Sequence, residues 1–322
     1  MNISQFDNIR VVLAEPNSSL RKILKECLLE HGFRSVFDTG NLAQVAGAVR
    51  EGNVDLLIAD TSLAEGDINE YVTELRHGKH GDNPFLVVMT LVSDPNPDAV
   101  HAAINSGTDH VLAKPFSPLA MIKHARDLTH GRKKFVVTTD YIGPDRRGQR
   151  RQDGMAIERI DVPNALRQRM TGQMSNGIVR RAIDAAKAKI NNQKVVRHAY
   201  QIGWLLERML PEIDAPQKSA DFHAHMDRLD SVATDISRRI RTTEFAHVAE
   251  MCMTLSSMVE QAIKNGFTQE DALLLGKISG LIGAAFDPER EEYVATYRRN
   301  RQLPPVMPSD DVEDAMQKVA TA

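Results

Sequence analysis

Cysteine is almost missing from this chain of 322 residues, which carries only Cys27 and Cys252. The two lie far apart in apolar-patterned helical stretches. That excludes a disulfide framework and a zinc-ligand spacing, and fits buried thiols in a reducing compartment. Aromatic residues are sparse at 5%, with Trp204 the one tryptophan. An excess of one charge is missing too: 40 basic residues face 43 acidic ones, for a formal net charge of −3. Global attraction to nucleic acid or to an anionic membrane is therefore not expected, and any basic patch has to be local. No apolar run reaches the roughly 18 residues of a membrane span. Residues Met1 to Asp7 lack the basic and apolar segments of a secretion signal, so a cytoplasmic protein is expected. Hydrophobic residues make up 42%, enough for a sizeable core, and the length suits about two domains.

The N-terminal half is organised around Asp55 to Asp60. Leu56 to Ala59 are continuously apolar, as in a strand buried on both faces of a parallel sheet, and the run ends in a carboxylate. Other short runs read as strands at Ile9–Ala14, Ser35–Phe37, Phe85–Thr90 and Val111–Ala113. Helices are expected between them: one capped by Ser18 or Ser19 and ended at His31-Gly32, then Leu42–Arg50, Asp67–Arg76, Pro97–Asn105 and Pro118–Leu128. Five strands alternating with five helices over short connections specify an α/β doubly wound five-stranded parallel sheet over residues 1–130.

In such a sheet, chemistry collects at the carboxyl ends of the strands. Four ends bring Glu15, Asp60, Thr90 and Lys114 toward one crevice. Taken alone, Asp60 reads as a turn or cap residue, Thr90 as an ordinary β-branched strand residue and Lys114 as a solvated charge. Together they supply a carboxylate nucleophile, a second carboxylate to share a hard cation such as Mg²⁺, and a hydroxyl and an ammonium for the oxygens of a phosphoryl group.

Residues 9 to about 128 resemble the receiver domain of two-component response regulators, of the chemotaxis-regulator-like fold. The resemblance rests on the acid after the first strand, Asp60, Thr90, the Lys114-Pro115-Phe116 turn, Arg21 and Gly107. It implies that Asp60 accepts a phosphoryl group from a histidine kinase or phosphotransfer protein. Thr90 would then be the switch hydroxyl, Lys114 the phosphoryl contact, and Glu15, Asp60 and the backbone carbonyl of Ser62 the Mg²⁺ ligands. Four positions depart from the pattern. Pro16 replaces a second acid and should weaken Mg²⁺ binding. Ala64 and Ile68 stand where the family usually has Pro and Gly, and Val111 replaces an aromatic switch residue.

Residues 131–162 lack helical periodicity and read as a linker with a basic segment, Arg146, Arg147, Arg150 and Arg151, tied to the receiver by Phe135 and Tyr141. The phrase from Phe135 to Arg147 resembles a tail attached to many alphaproteobacterial receiver proteins. Arg147-x-x-x-Arg151 resembles a cyclic-di-GMP motif, but the segment that should complete it is missing. Residues 163–300 read as all-helical. Stripes at a 3.5-residue period run through Phe222, Met226, Leu229, Ala233, Ile236 and Ile240, and again through Phe245, Val248, Cys252, Leu255, Val259 and Ala262. Separate helices are expected at Ile178–Ile190, Val195–Leu210 and Leu273–Ile282, with Asp287-Pro288 ending the last. His198, His223, His225 and His247 lack metal or phosphotransfer surroundings and read as ordinary helix residues. Residues 301–322 read as a loose tail.

The expected function is that of a response-regulator signalling protein and not an enzyme. Phosphorylation at Asp60 would modulate protein–protein interaction through the helical half, with an unknown protein partner or a second copy of the chain. Methionines 251 and 258 are expected at that surface. Two other readings remain: a DNA-binding transcriptional regulator, disfavoured by the charge balance, and a pseudo-receiver scaffold that works without phosphorylation.

Overall fold

A computed structural model of the chain describes residues 6–52, 54–146, 158–172, 176–212, 215, 217–241 and 246–286. The basic residues 147, 150 and 151, the His247 side chain, the stop at 287–288 and the tail at 301–322 lie outside the described residues. Two compact units divide the chain, Met1–Ile190 and Asn191–Ala322.

In the first unit, β1 (Arg10–Ala14), β2 (Ser35–Thr39), β3 (Leu56–Asp60), β4 (Val87–Val92) and β5 (His110–Ala113) form a parallel sheet in the order β2-β1-β3-β4-β5. The strands alternate with α1 (Ser18–Glu30), α2 (Leu42–Arg50), α3 (Ile68–Arg76), α4 (Pro97–Asn105) and α5 (Pro118–His130). Successive strand residues point to opposite faces. Val11, Leu13, Leu56, Ile58, Met89 and Leu91 join Leu24 and Leu28 of α1 and Met121 and Ile122 of α5 in one core. Val12, Ala14, Leu57, Ala59 and Val88 meet Val45 of α2 and Ile68, Val72 and Leu75 of α3 in the other. Every residue of β3 and β4 is buried, which explains their unbroken apolar runs.

The helix starts follow the usual capping chemistry. The side chains of Asn17, Asn41, Asp67, Asn96 and Ser117 accept first-turn N–H groups of α1 to α5. Asn17 thus caps α1, where Ser18 or Ser19 was expected; those two are already helical. The fourth strand is shifted as well. An Asn83 side-chain turn, accepting from the Phe85 N–H at 3.0 Å, delays its start to Val87, and it runs on to Val92.

The stretch expected as a linker is folded. β6 (Phe135–Val137) and β7 (Ile142–Pro144) pair antiparallel, and Ile160 bridges to Phe135. Phe135 packs edge-on against Phe85 at 5.9 Å, in a cluster with Val137, Ile142, Ile160, Ala186 and Ile190. Beneath it, the buried Asp109 carboxylate is held by Arg76 at 3.0 Å and Arg132 at 2.6 Å, and both guanidinium groups lie over the Phe135 ring. Arg146 donates to the Thr108 carbonyl at 2.6 Å, so it serves the receiver's own backbone. A short helix, α6 (Ala165–Met170), adds Leu166 to the first core and sets Arg169 2.5 Å from the buried Asp55 carboxylate.

The helices expected at 178–190 and 195–210 are one, α7 (Asn176–Met209), 34 residues long. Residues 191–194 are Asn, Asn, Gln and Lys; none is a helix breaker, so the polar interval does not end the helix. In the second unit, α7 from residue 191 contributes Val195, Ala199, Ile202 and Leu206 to one core. The others are α8 (Ala220–Ile240), α9 (Ala246–Asn265) and α10 (Gln269–Phe286). Thr268 and Asp271 cap α10 reciprocally: each backbone N–H is bound by the other's side chain, at 2.9 and 3.2 Å. His198 is buried and faces Asp235 of α8 at 2.9 Å, as an ordinary core residue of the bundle. Met251 and Met258 pack against this core; the strongly exposed methionine of α9 is Met253.

Candidate functional site

The strand order reverses between β1 and β3, so their carboxyl ends open on a crevice at the switch point. Asp60 is the last residue of β3 and is fully buried, as is Glu15 just past β1. Asp60 Oδ1 accepts from the Ser62 N–H at 2.7 Å, from the Ser62 hydroxyl, and from Ser93 Oγ at 2.9 Å. Asp60 Oδ2 lies 2.7 Å from Ser93 Oγ and 2.6 Å from Lys114 Nζ. The same ammonium lies 2.7 Å from Glu15 Oε2 and donates to Ser93 Oγ at 3.1 Å. Glu15 Oε1 accepts the Asn17 N–H at 3.0 Å. Lys114 therefore bridges the two carboxylates, and each of the four carboxylate oxygens already accepts a hydrogen bond.

The electrostatics follow from this ring. Burial pushes the Asp60 carboxyl up, but the Lys114, Ser62 and Ser93 hydrogen bonds outweigh it and hold its pKa below the ordinary carboxylate value. Burial disfavours charge on Lys114 as well, yet its bonds to Asp60 and Glu15 raise its pKa above that of an ordinary lysine. The site holds a buried, ionised carboxylate beside an ammonium.

Glu15, Asp60 and Lys114 thus come together as their places at strand ends imply. Ser62 does so through its N–H and hydroxyl. Thr90 does not. It pairs with Ala59, while Asp60 pairs with Leu91, so Thr90 projects from the opposite face of the sheet. Its hydroxyl is buried and donates to Thr108 Oγ1 at 3.0 Å. The hydroxyl that this strand brings to Asp60 belongs to Ser93, two positions beyond Leu91 and on the same face. The signal was in the sequence: the apolar run continues through Leu91 and Val92, and Ser93 is the first polar residue to follow it.

The side chains present do not fit a magnesium ion. Magnesium takes about six oxygens in near-octahedral array, several of them waters, and needs its one or two anchoring carboxylates free to face it. Among the described residues two carboxylates face this crevice, with an ammonium between them. At the next position Pro16 offers no side-chain oxygen, and the Glu15 carbonyl accepts from Arg21 at 2.6 Å. Among the described residues no group of three or more His, Cys, Asp or Glu side chains is placed to share a metal ion.

The model of the response regulator receiver domain matches residues 11–126. Chemotaxis protein CheY of Bacillus subtilis is 25% identical over 107 residues, spanning 33% of this chain and 86% of that protein. Three solved structures match at TM-scores of 0.32 to 0.34. An orphan response regulator of H. pylori is 23% identical over 37% of this chain and 94% of its own. Chemotaxis protein CheY4 of Vibrio cholerae is 18% identical over 37% and 97%. The receiver domain of a Pseudomonas aeruginosa sensor histidine kinase, which has a magnesium ion coordinated in its active site cleft, is 18% identical over 37% and 96%. The C-terminal half matches no family model. Residues 11–126 of this chain are a response regulator receiver domain.

Proposed function

We propose that Asp60 accepts a phosphoryl group from a histidine kinase or phosphotransfer protein, and that the helical half carries the resulting signal to a protein partner. The observation that supports it is the ring of donors around Asp60. A buried carboxylate kept ionised is a usable nucleophile, and Lys114, Ser93 and Ser62 are already placed to turn to the oxygens of an arriving phosphoryl group. Ser93 takes the switch role in this reading, in place of Thr90. A signalling protein is favoured over a DNA-gripping regulator because Arg146 is spent on the receiver's own backbone.

Incubation of the full-length protein with acetyl phosphate tests the reading. Intact mass spectrometry should show the gain of one phosphoryl group, lost in Asp60→Asn. No gain in the unmodified chain would leave a scaffold that works without phosphorylation.

A further inference from the structure

Lys114 Nζ sits between Asp60 Oδ2 and Glu15 Oε2, at 2.6 and 2.7 Å, in the position where a cation shared by the two carboxylates has to be. Two buried carboxylates this close repel, and something positive has to relieve them. Here the relief is supplied by the chain itself. We propose that the Lys114 ammonium replaces the divalent cation at this site, so that Asp60 accepts a phosphoryl group without a metal. The proposal rests on the acceptor reading above and adds the identity of the cation.

Three features carry it. The ammonium is held from both sides and by Ser93 Oγ at 3.1 Å, so it does not swing freely in solvent. A metal would have to displace it and would find Pro16 where a further carboxylate is needed. Arg21 places a second positive group against the same strand end, with its guanidinium 2.6 Å from the Glu15 carbonyl and anchored by Asp38 at 3.3 Å. The positive charge beside the acceptor is therefore made of side chains fixed by their own ion pairs.

The chemical step balances without a metal. An Asp60 carboxylate oxygen forms a bond to the phosphorus of acetyl phosphate. The bond from phosphorus to the acetyl oxygen breaks, and its electron pair leaves with acetate, so no proton has to move. Lys114 and Ser93 take up charge on the transferring oxygens.

The full-length protein, stripped with EDTA, is incubated with acetyl phosphate and followed by intact mass spectrometry, in parallel with the same protein in millimolar Mg²⁺. The inference expects the two rates to agree within about tenfold, whereas a required charge-stabilising group changes rates by about 100-fold or more. Calorimetry should show no saturable Mg²⁺ binding to the unaltered chain and a new binding heat in Pro16→Asp. Lys114→Met, checked for folding by circular dichroism, should lose the metal-free labelling. Labelling seen only with Mg²⁺ would overturn the inference and leave the acceptor reading standing. Metal-free labelling that survives in Lys114→Met would also overturn it. No labelling in either condition would overturn both.

Discussion

An odd separation of three residues along one segment decides which hydroxyl meets the acceptor. Side chains alternate across a sheet, so Thr90 and Ser93 fall on opposite faces, and only Ser93 reaches Asp60. Ser93→Ala should slow phosphoryl labelling by about tenfold or more, since it removes a donor aimed at the reacting oxygens. Thr90→Val should leave labelling unchanged and cost about 1 kcal/mol of stability, the usual worth of one internal hydrogen bond. Labelling kinetics and urea unfolding of the two variants separate these outcomes. Glu15, Asp60 and Lys114 were legible because each ends or follows an apolar run. Ser93 was missed because the run was cut at Thr90, the first hydroxyl in it.

A second residue-scale consequence concerns acid. His110 of β5 stacks on His124 of α5 with ring centroids 4.0 Å apart. Burial first, then repulsion from His124, Arg146 and Lys133, holds its pKa down to about 4, against a partial pull upward from Asp127. A group whose folded pKa is depressed stabilises the fold above its unfolded value of 6.5. That contribution fades as the pH falls toward about 4, where the folded ring protonates. Unfolding by denaturant should show declining stability across that window, and His110→Gln should flatten part of the decline.

Among the elements, the short hairpin β6–β7 was the least legible. Strands of three residues show no periodicity, and their burial depends on Phe85, Asp109 and Arg76, which stand far away in sequence, together with the nearby Arg132. The long strands and helices were read from their own patterns; the hairpin could be read only from its neighbours. Phe135 is fully buried against Phe85 with two guanidinium groups over its ring. Phe135→Ala should therefore cost about 3–5 kcal/mol, as large buried aromatics do when truncated. Urea unfolding followed by circular dichroism measures it. A loss below about 1 kcal/mol would mark the hairpin as a surface flap with no part in the receiver's core.

At the scale of the whole molecule, the two kinds of periodicity told the architecture apart. Continuous apolar strands announced a sheet covered on both faces, and stripes at 3.5 residues announced packed helices. Neither pattern showed that α7 serves both units. Its first turns place Ala186 and Ile190 in the receiver-side cluster, and its later turns place Val195, Ala199 and Ile202 in the bundle core. Starting a helix is the costly event, because several residues must be fixed before the first hydrogen bond is gained, while lengthening one is cheap. A helix shared by two cores has to be started only once. Whichever unit condenses first hands the other a template whose next turn is already favoured, so the folding of the two halves is linked through a single initiation event.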